Sequence, residues 1–97
     1  MVRLNNEMQQ YIKQLAQNLF NSTDVWIFGS RANLDAKGGD IDIYIETTKD
    51  TGILKSKITF LSKLEAMFGF QKIDLLIDNH KKNEAIFDIA KSKGIKI

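Results

Sequence analysis

Asp40-Ile41-Asp42-Ile43-Tyr44-Ile45-Glu46 alternates strictly between isoleucine and polar or aromatic side chains. Successive side chains of a strand point to opposite faces, so the isoleucines share one face and Asp40, Asp42, Tyr44 and Glu46 share the other. The pattern predicts a strand with one buried face and one acidic face. Upstream, Val25-Trp26-Ile27-Phe28 is a short apolar run between Asp24 and Gly29, as expected of a buried strand. A polar connection from Ser30 to Gly39, opening with a helical turn at Ser30-Arg31-Ala32, joins the two. Leu4, Met8, Ile12, Leu15 and Leu19 recur at helical spacing before the first strand, and Asn21-Ser22 ends that helix. Downstream, Leu54, Ile58, Leu61, Leu64 and Phe68 predict a second amphipathic helix, stopped by Gly69. Ile73 to Ile77 reads as a third strand. Ile86, Ile89 and Ala90 mark a last helix closed by Gly94, with Ile95-Lys96-Ile97 as a short edge strand.

The resulting order is α-β-(turn)-β-α-β-α-β. It predicts a small α/β (α+β) fold, a mixed sheet with helices packed on one face and the acidic side chains on the other. The 97 residues predict one domain spanning residues 1–97. With no cysteine there is no disulfide to staple so small a core, leaving stability to packing, with or without help from a partner. No apolar run approaches the roughly 20 residues that span a bilayer. The start, Met1-Val2-Arg3-Leu4-Asn5-Asn6, has no signal-peptide core. These features predict a cytoplasmic chain without membrane contact. The net charge of +2 comes largely from Lys81, Lys82, Lys91, Lys93 and Lys96. That cluster reads as solvated helix surface, not as the basic, aromatic-interleaved stripe of a nucleic-acid binder, so direct nucleic-acid binding is not expected.

Asp40 and Asp42 lie two apart on one strand face, about 6.5–7 Å between Cα atoms, close enough to lean over a shared divalent cation. Mg²⁺ suits such a pair, since it takes oxygen ligands and prefers one or two carboxylates together with phosphate oxygens and water. Asp-x-Asp also keeps a solvent-facing strand wet, so its neighbours decide the reading. Gly29-Ser30 directly follows the first strand, where glycine permits a sharp turn and serine can present its N–H and hydroxyl to an anion. Arg31 is within reach of a phosphate oxygen for a charge-assisted bond. Asp74 interrupts the apolar run from Ile73 to Ile77, and a buried carboxylate there would need a partner. A place beside Asp40 and Asp42 supplies a reason, and with Gly29-Ser30 and Asp-x-Asp already in order it is preferred to an edge-strand residue pointing to solvent. A three-carboxylate site fits two Mg²⁺ ions clamping an in-line phosphoryl displacement, with Asp74 taking the acceptor's proton.

With these residues in order, the sequence resembles the DNA polymerase β-like nucleotidyltransferase superfamily, and within it the minimal nucleotidyltransferases. The likeness rests on a strand, then Gly29-Ser30, then Asp40-Ile41-Asp42 on the next strand, then Asp74 on a later one. Two departures stand out. Asn33-Leu34 occupies the place of a second glycine, and Gly39 the place of a serine often found before the first aspartate; neither removes a carboxylate. The resemblance implies a Mg²⁺-dependent enzyme with ATP as substrate, metal and catalytic residues Asp40, Asp42 and Asp74, and nucleotide contacts from Gly29, Ser30 and Arg31. It also implies a helical HEPN-type partner, a toxin ribonuclease whose tyrosine receives AMP from an antitoxin such as this chain.

Two other functions stay open. The chain could neutralise its partner by occlusion alone, or serve a small-molecule or RNA acceptor with a separate binding subunit. Trp26 reads as core and His80 as an exposed or capping residue. Tyr44 and Glu46 read as pocket lining or a solvated strand end, while Asp35 and Lys37 lie in the connection before the carboxylates. Nothing in the sequence names the base, the acceptor or the oligomeric state.

Overall fold

The structure, a computed structural model, describes residues 6–28, 41–69, 73–80 and 85–97. Helix α1 spans Asn6–Phe20, strand β1 Val25–Phe28, β2 Ile41–Glu46, helix α2 Ile53–Phe68, β3 Ile73–Asp78, α3 Ala85–Lys93 and β4 Ile95–Lys96. The order matches the alternation of periods in the sequence. The strands form one sheet in the order β3-β2-β1-β4. β1 runs antiparallel to both β2 and β4, whereas β2 and β3 are parallel, joined through α2. This is the expected α+β class with a mixed sheet.

Val25, Ile27, Ile41, Ile43, Ile45 and Leu75 fill one sheet face, against Met8, Ile12, Leu15, Ala16 and Phe20 of α1 and Phe60 and Leu64 of α2. Burying these chains is the main drive to fold, at about 25 cal/mol per Å² of apolar surface. α1 ends where Asn21 turns left-handed at φ 53°, its N–H bonding the Gln17 carbonyl at 3.1 Å. Asparagine tolerates that conformation better than most residues.

The layering differs from expectation in one respect. α1 and α2 lie together on one face, but α3 packs on the other. There Trp26, Tyr44, Phe87 and Ala90 form a second, smaller core, with Phe28 and Leu76 at its edge. Aromatic side chains at Trp26 and Tyr44 make the acidic face half apolar, and an apolar patch of that kind draws a helix over it.

Two helices also roll differently from their predicted stripes. In α2 the buried positions are Ser56, Phe60 and Leu64, with Ile53 and Leu61 partly covered, while Leu54 and Ile58 stand 70% and 57% exposed. Two overlapping apolar stripes fit the 3.6-residue period, and the one carrying Phe60 wins by packing against Phe20, ring centroids 6.1 Å apart. In α3 it is Phe87 and Ala90 that go inward, and Ile86 and Ile89 face out. Phe87 sets that roll by meeting Tyr44 at 5.8 Å.

Candidate functional site

Asp42 and Asp74 are register partners on the adjacent parallel strands β2 and β3, and so lie side by side on one face of the sheet. Neighbouring strands are about 4.8 Å apart, close enough for both carboxylates to meet one cation. Asp42 is half-buried and Asp74 exposed. β3 is an edge strand, which explains how a carboxylate is tolerated there: Asp74 meets water and incurs no burial penalty. The proximity to Asp42, and not desolvation, is therefore what distinguishes it. Phe28 is Asp42's partner on the other side, across the antiparallel β1–β2 ladder.

Gly29, Ser30, Arg31 and Asp40 lie outside the described residues, as do Asn33, Leu34, Asp35, Lys37 and Gly39. Their attachment points are nonetheless defined. β1 ends at Phe28 and β2 begins at Ile41, at the same end of the sheet as Asp42 and Asp74. Among the described residues no group of three or more His, Cys, Asp or Glu is arranged to hold a metal. The carboxylate pair itself is a hard, anionic oxygen donor set of the kind Mg²⁺ takes.

The acidic face continues away from that end. Glu46 and Asp78 are register partners, as are Tyr44 and Leu76. Tyr44 is neither a pocket lining nor a solvated strand end: it is 1% exposed, sandwiched between Trp26 and Phe87. Its hydroxyl lies 2.8 Å from Asp78 Oδ2 and 3.1 Å from Glu46 Oε2. Burial first, then the bond to Asp78 and the nearby negative charges, push the phenol pKa well above its ordinary value. Lys91 Nζ of α3 donates to Glu46 Oε2 at 3.0 Å, and that bond with its charge raises the ammonium pKa. Trp26 is core, as expected, with Lys91 and Lys96 over its ring. His80 is exposed, held at φ 65° with its backbone N–H bonded to Asp78 Oδ1 at 2.9 Å.

Asp78 closes β3 one residue beyond the Ile73 to Ile77 run, and the sequence reasoning did not single it out. Its signal was there, since Asp74, Leu76 and Asp78 are two apart and share a face. A polar cleft of about 250 Å³ also opens at this end, lined by residues including Ser22, Asp24, Glu46, Thr47 and His80. It lies four residues along β2 from Asp42, about 13 Å away, and belongs to the connection after α1 and the end of β2, not to the carboxylate pair.

No helix among the described residues is long and apolar enough to cross a membrane. No curated protein matches the chain. A family model described as "Polymerase beta, Nucleotidyltransferase" does match, over residues 10–97. That span takes in both strands of the carboxylate pair and the strand leading into Gly29-Ser30, and the chain belongs to this nucleotidyltransferase family.

Proposed function

We propose that the chain is a Mg²⁺-dependent adenylyltransferase that moves AMP from ATP onto a hydroxyl, a tyrosine of a helical HEPN-type toxin, and so acts as its antitoxin. The observation that carries the reading is the side-by-side placement of Asp42 and Asp74 at the sheet end where β1 finishes and β2 begins, with Gly29-Ser30 and Asp40 next to those ends in sequence. Asp40, Asp42 and Asp74 would hold two Mg²⁺ ions, which when bound neutralise triphosphate charge and acidify the attacking hydroxyl. Gly29 and Ser30 hold the triphosphate tail through backbone N–H groups and the serine hydroxyl, and Arg31 adds a charge-assisted contact. The acceptor oxygen bonds to the α-phosphorus of ATP as the α–β bridge breaks. Pyrophosphate leaves, and the acceptor's proton passes to Asp74. Exposure of Asp74 suits a group that must meet an incoming macromolecular acceptor.

The test is incubation of the purified chain with radiolabelled ATP, Mg²⁺ and the product of the neighbouring gene, beside an Asp40→Ala/Asp42→Ala control. Label on the partner only with the intact carboxylates is the expected result. A partner that binds but stays unlabelled with every nucleotide would instead identify an antitoxin acting by occlusion.

A further inference from the structure

α2 carries an apolar ridge that the fold leaves uncovered. Phe60 and Leu64 point into the core, and about a third of a turn around the helix Leu54 and Ile58 stand out into solvent. Exposed Lys55, Ser62 and Glu65 share that outward side. Neither Lys55 nor Glu65 has an ion-pair partner among the described residues.

The charge pattern on this ridge is self-complementary in one orientation. When two copies of α2 lie antiparallel, crossing at the level of Phe60, each Lys55 falls at the level of the other copy's Glu65. Both residues are five positions from the centre. The same register sets Ile58 against Ser62 and brings both copies of Ile58 to the middle of the contact. Run parallel, the two helices would oppose Lys55 to Lys55 and Glu65 to Glu65.

We propose that the α2 face is a self-association surface, through which two copies of this chain pair antiparallel about a two-fold axis with Lys55 bonded to Glu65 of the other copy. The inference is independent of the acceptor and of the chemistry at Asp42. A two-fold contact repeats every interaction twice, so each charge reversal acts on two pairs. The helix is 16 residues long, about 24 Å, and a single helix pair buries less than the roughly 1,200–2,000 Å² of a stable interface. The association is therefore weak and concentration-dependent.

Sedimentation velocity from roughly 10 µM to roughly 1 mM, a range in which small interfaces dissociate, tests it. The wild-type mass should rise towards that of a dimer. Lys55→Glu and Glu65→Lys should each weaken self-association about tenfold, because two attractions become two repulsions. An equimolar mixture of the two variants should associate again, since each supplies the charge the other lacks. Ile58→Asp should stay monomeric, with circular dichroism confirming its helices. A wild type of constant monomer mass overturns the proposal and leaves the ridge to a different partner. Single charge variants that associate like wild type, or a mixture that does not recover, overturn the antiparallel pairing.

Discussion

The Tyr44 hydroxyl has one proton to donate and two carboxylate neighbours, and the shorter distance to Asp78 decides which accepts it. Glu46 is satisfied instead by Lys91. Removing the hydroxyl leaves Asp78 short of a donor, so Tyr44→Phe should cost about 1–2 kcal/mol in denaturant unfolding. Tyr44 also sets a pH limit. Its folded pKa lies above the unfolded one, so the stability it contributes is fully present below about pH 10 and is lost as pH rises towards the folded value. Lys91 acts in the same direction. Melting temperatures should therefore fall above about pH 10 in the wild type, and less steeply in Tyr44→Phe; parallel curves would remove Tyr44 as a cause. At the other end of the face, the proposed role of Asp74 as proton acceptor predicts that Asp74→Asn lowers single-turnover transfer about 10²–10⁴-fold, the usual contribution of a general base. The substitution should leave the melting temperature unchanged, because Asp74 is exposed. Asp-x-Asp and Asp74 were legible as residues. A place for Asp74 beside Asp42 was expected from its interruption of an apolar run, but their exact pairing was not legible, since it depends on the parallel register of β2 and β3.

Among the described elements, the joint between α1, β2 and α2 is tied by side-chain hydrogen bonds. The Thr47 hydroxyl donates to the Phe20 carbonyl, the Ser22 hydroxyl donates to the Glu46 carbonyl, and Lys49 Nζ donates to the Leu19 carbonyl and to Ser56 Oγ, both at 2.9 Å. Lys49 thus satisfies a carbonyl that the end of α1 leaves unpaired, where a cation also suits the helix dipole. Lys49→Met should destabilise by about 1–2 kcal/mol, measured by chemical denaturation. At the turn from α3 to β4, a Cβ on Gly94 would lie 2.4 Å from the Ala90 carbonyl oxygen and 3.1 Å from that of Ile27. Neither backbone atom can retreat cheaply, and Gly94→Ala should cost about 1–3 kcal/mol. Gly94 as a helix stop was readable in the sequence. The roll of α2 and α3 was not, because two stripes satisfy the same period and only the facing aromatics choose between them.

Over the whole molecule, the polar sheet face is divided in two. α3 closes the half around Tyr44, and the half bearing Asp42 and Asp74 lies at the opposite end of β2 and β3. Phe87 is the closing side chain, so Phe87→Ala should lose about 3 kcal/mol and wet the face beneath. Trp26 is the sole tryptophan and reports on this directly. Its emission should shift to the red and become accessible to a soluble quencher, whereas unchanged emission would mean that α3 is held by other contacts.

The sequence by itself determined the kinds and order of the elements, the apolar face of β2 and the residue types of the carboxylate set. These are local properties, written in periods of 2 and 3.6 and in single residues. Only the tertiary structure decided that β2 and β3 run parallel with Asp42 beside Asp74, that α3 crosses to the acidic face, and that Leu54 and Ile58 are left in solvent. Each of those depends on which side chains meet across the sheet, a relation between residues distant in the chain that no local period carries.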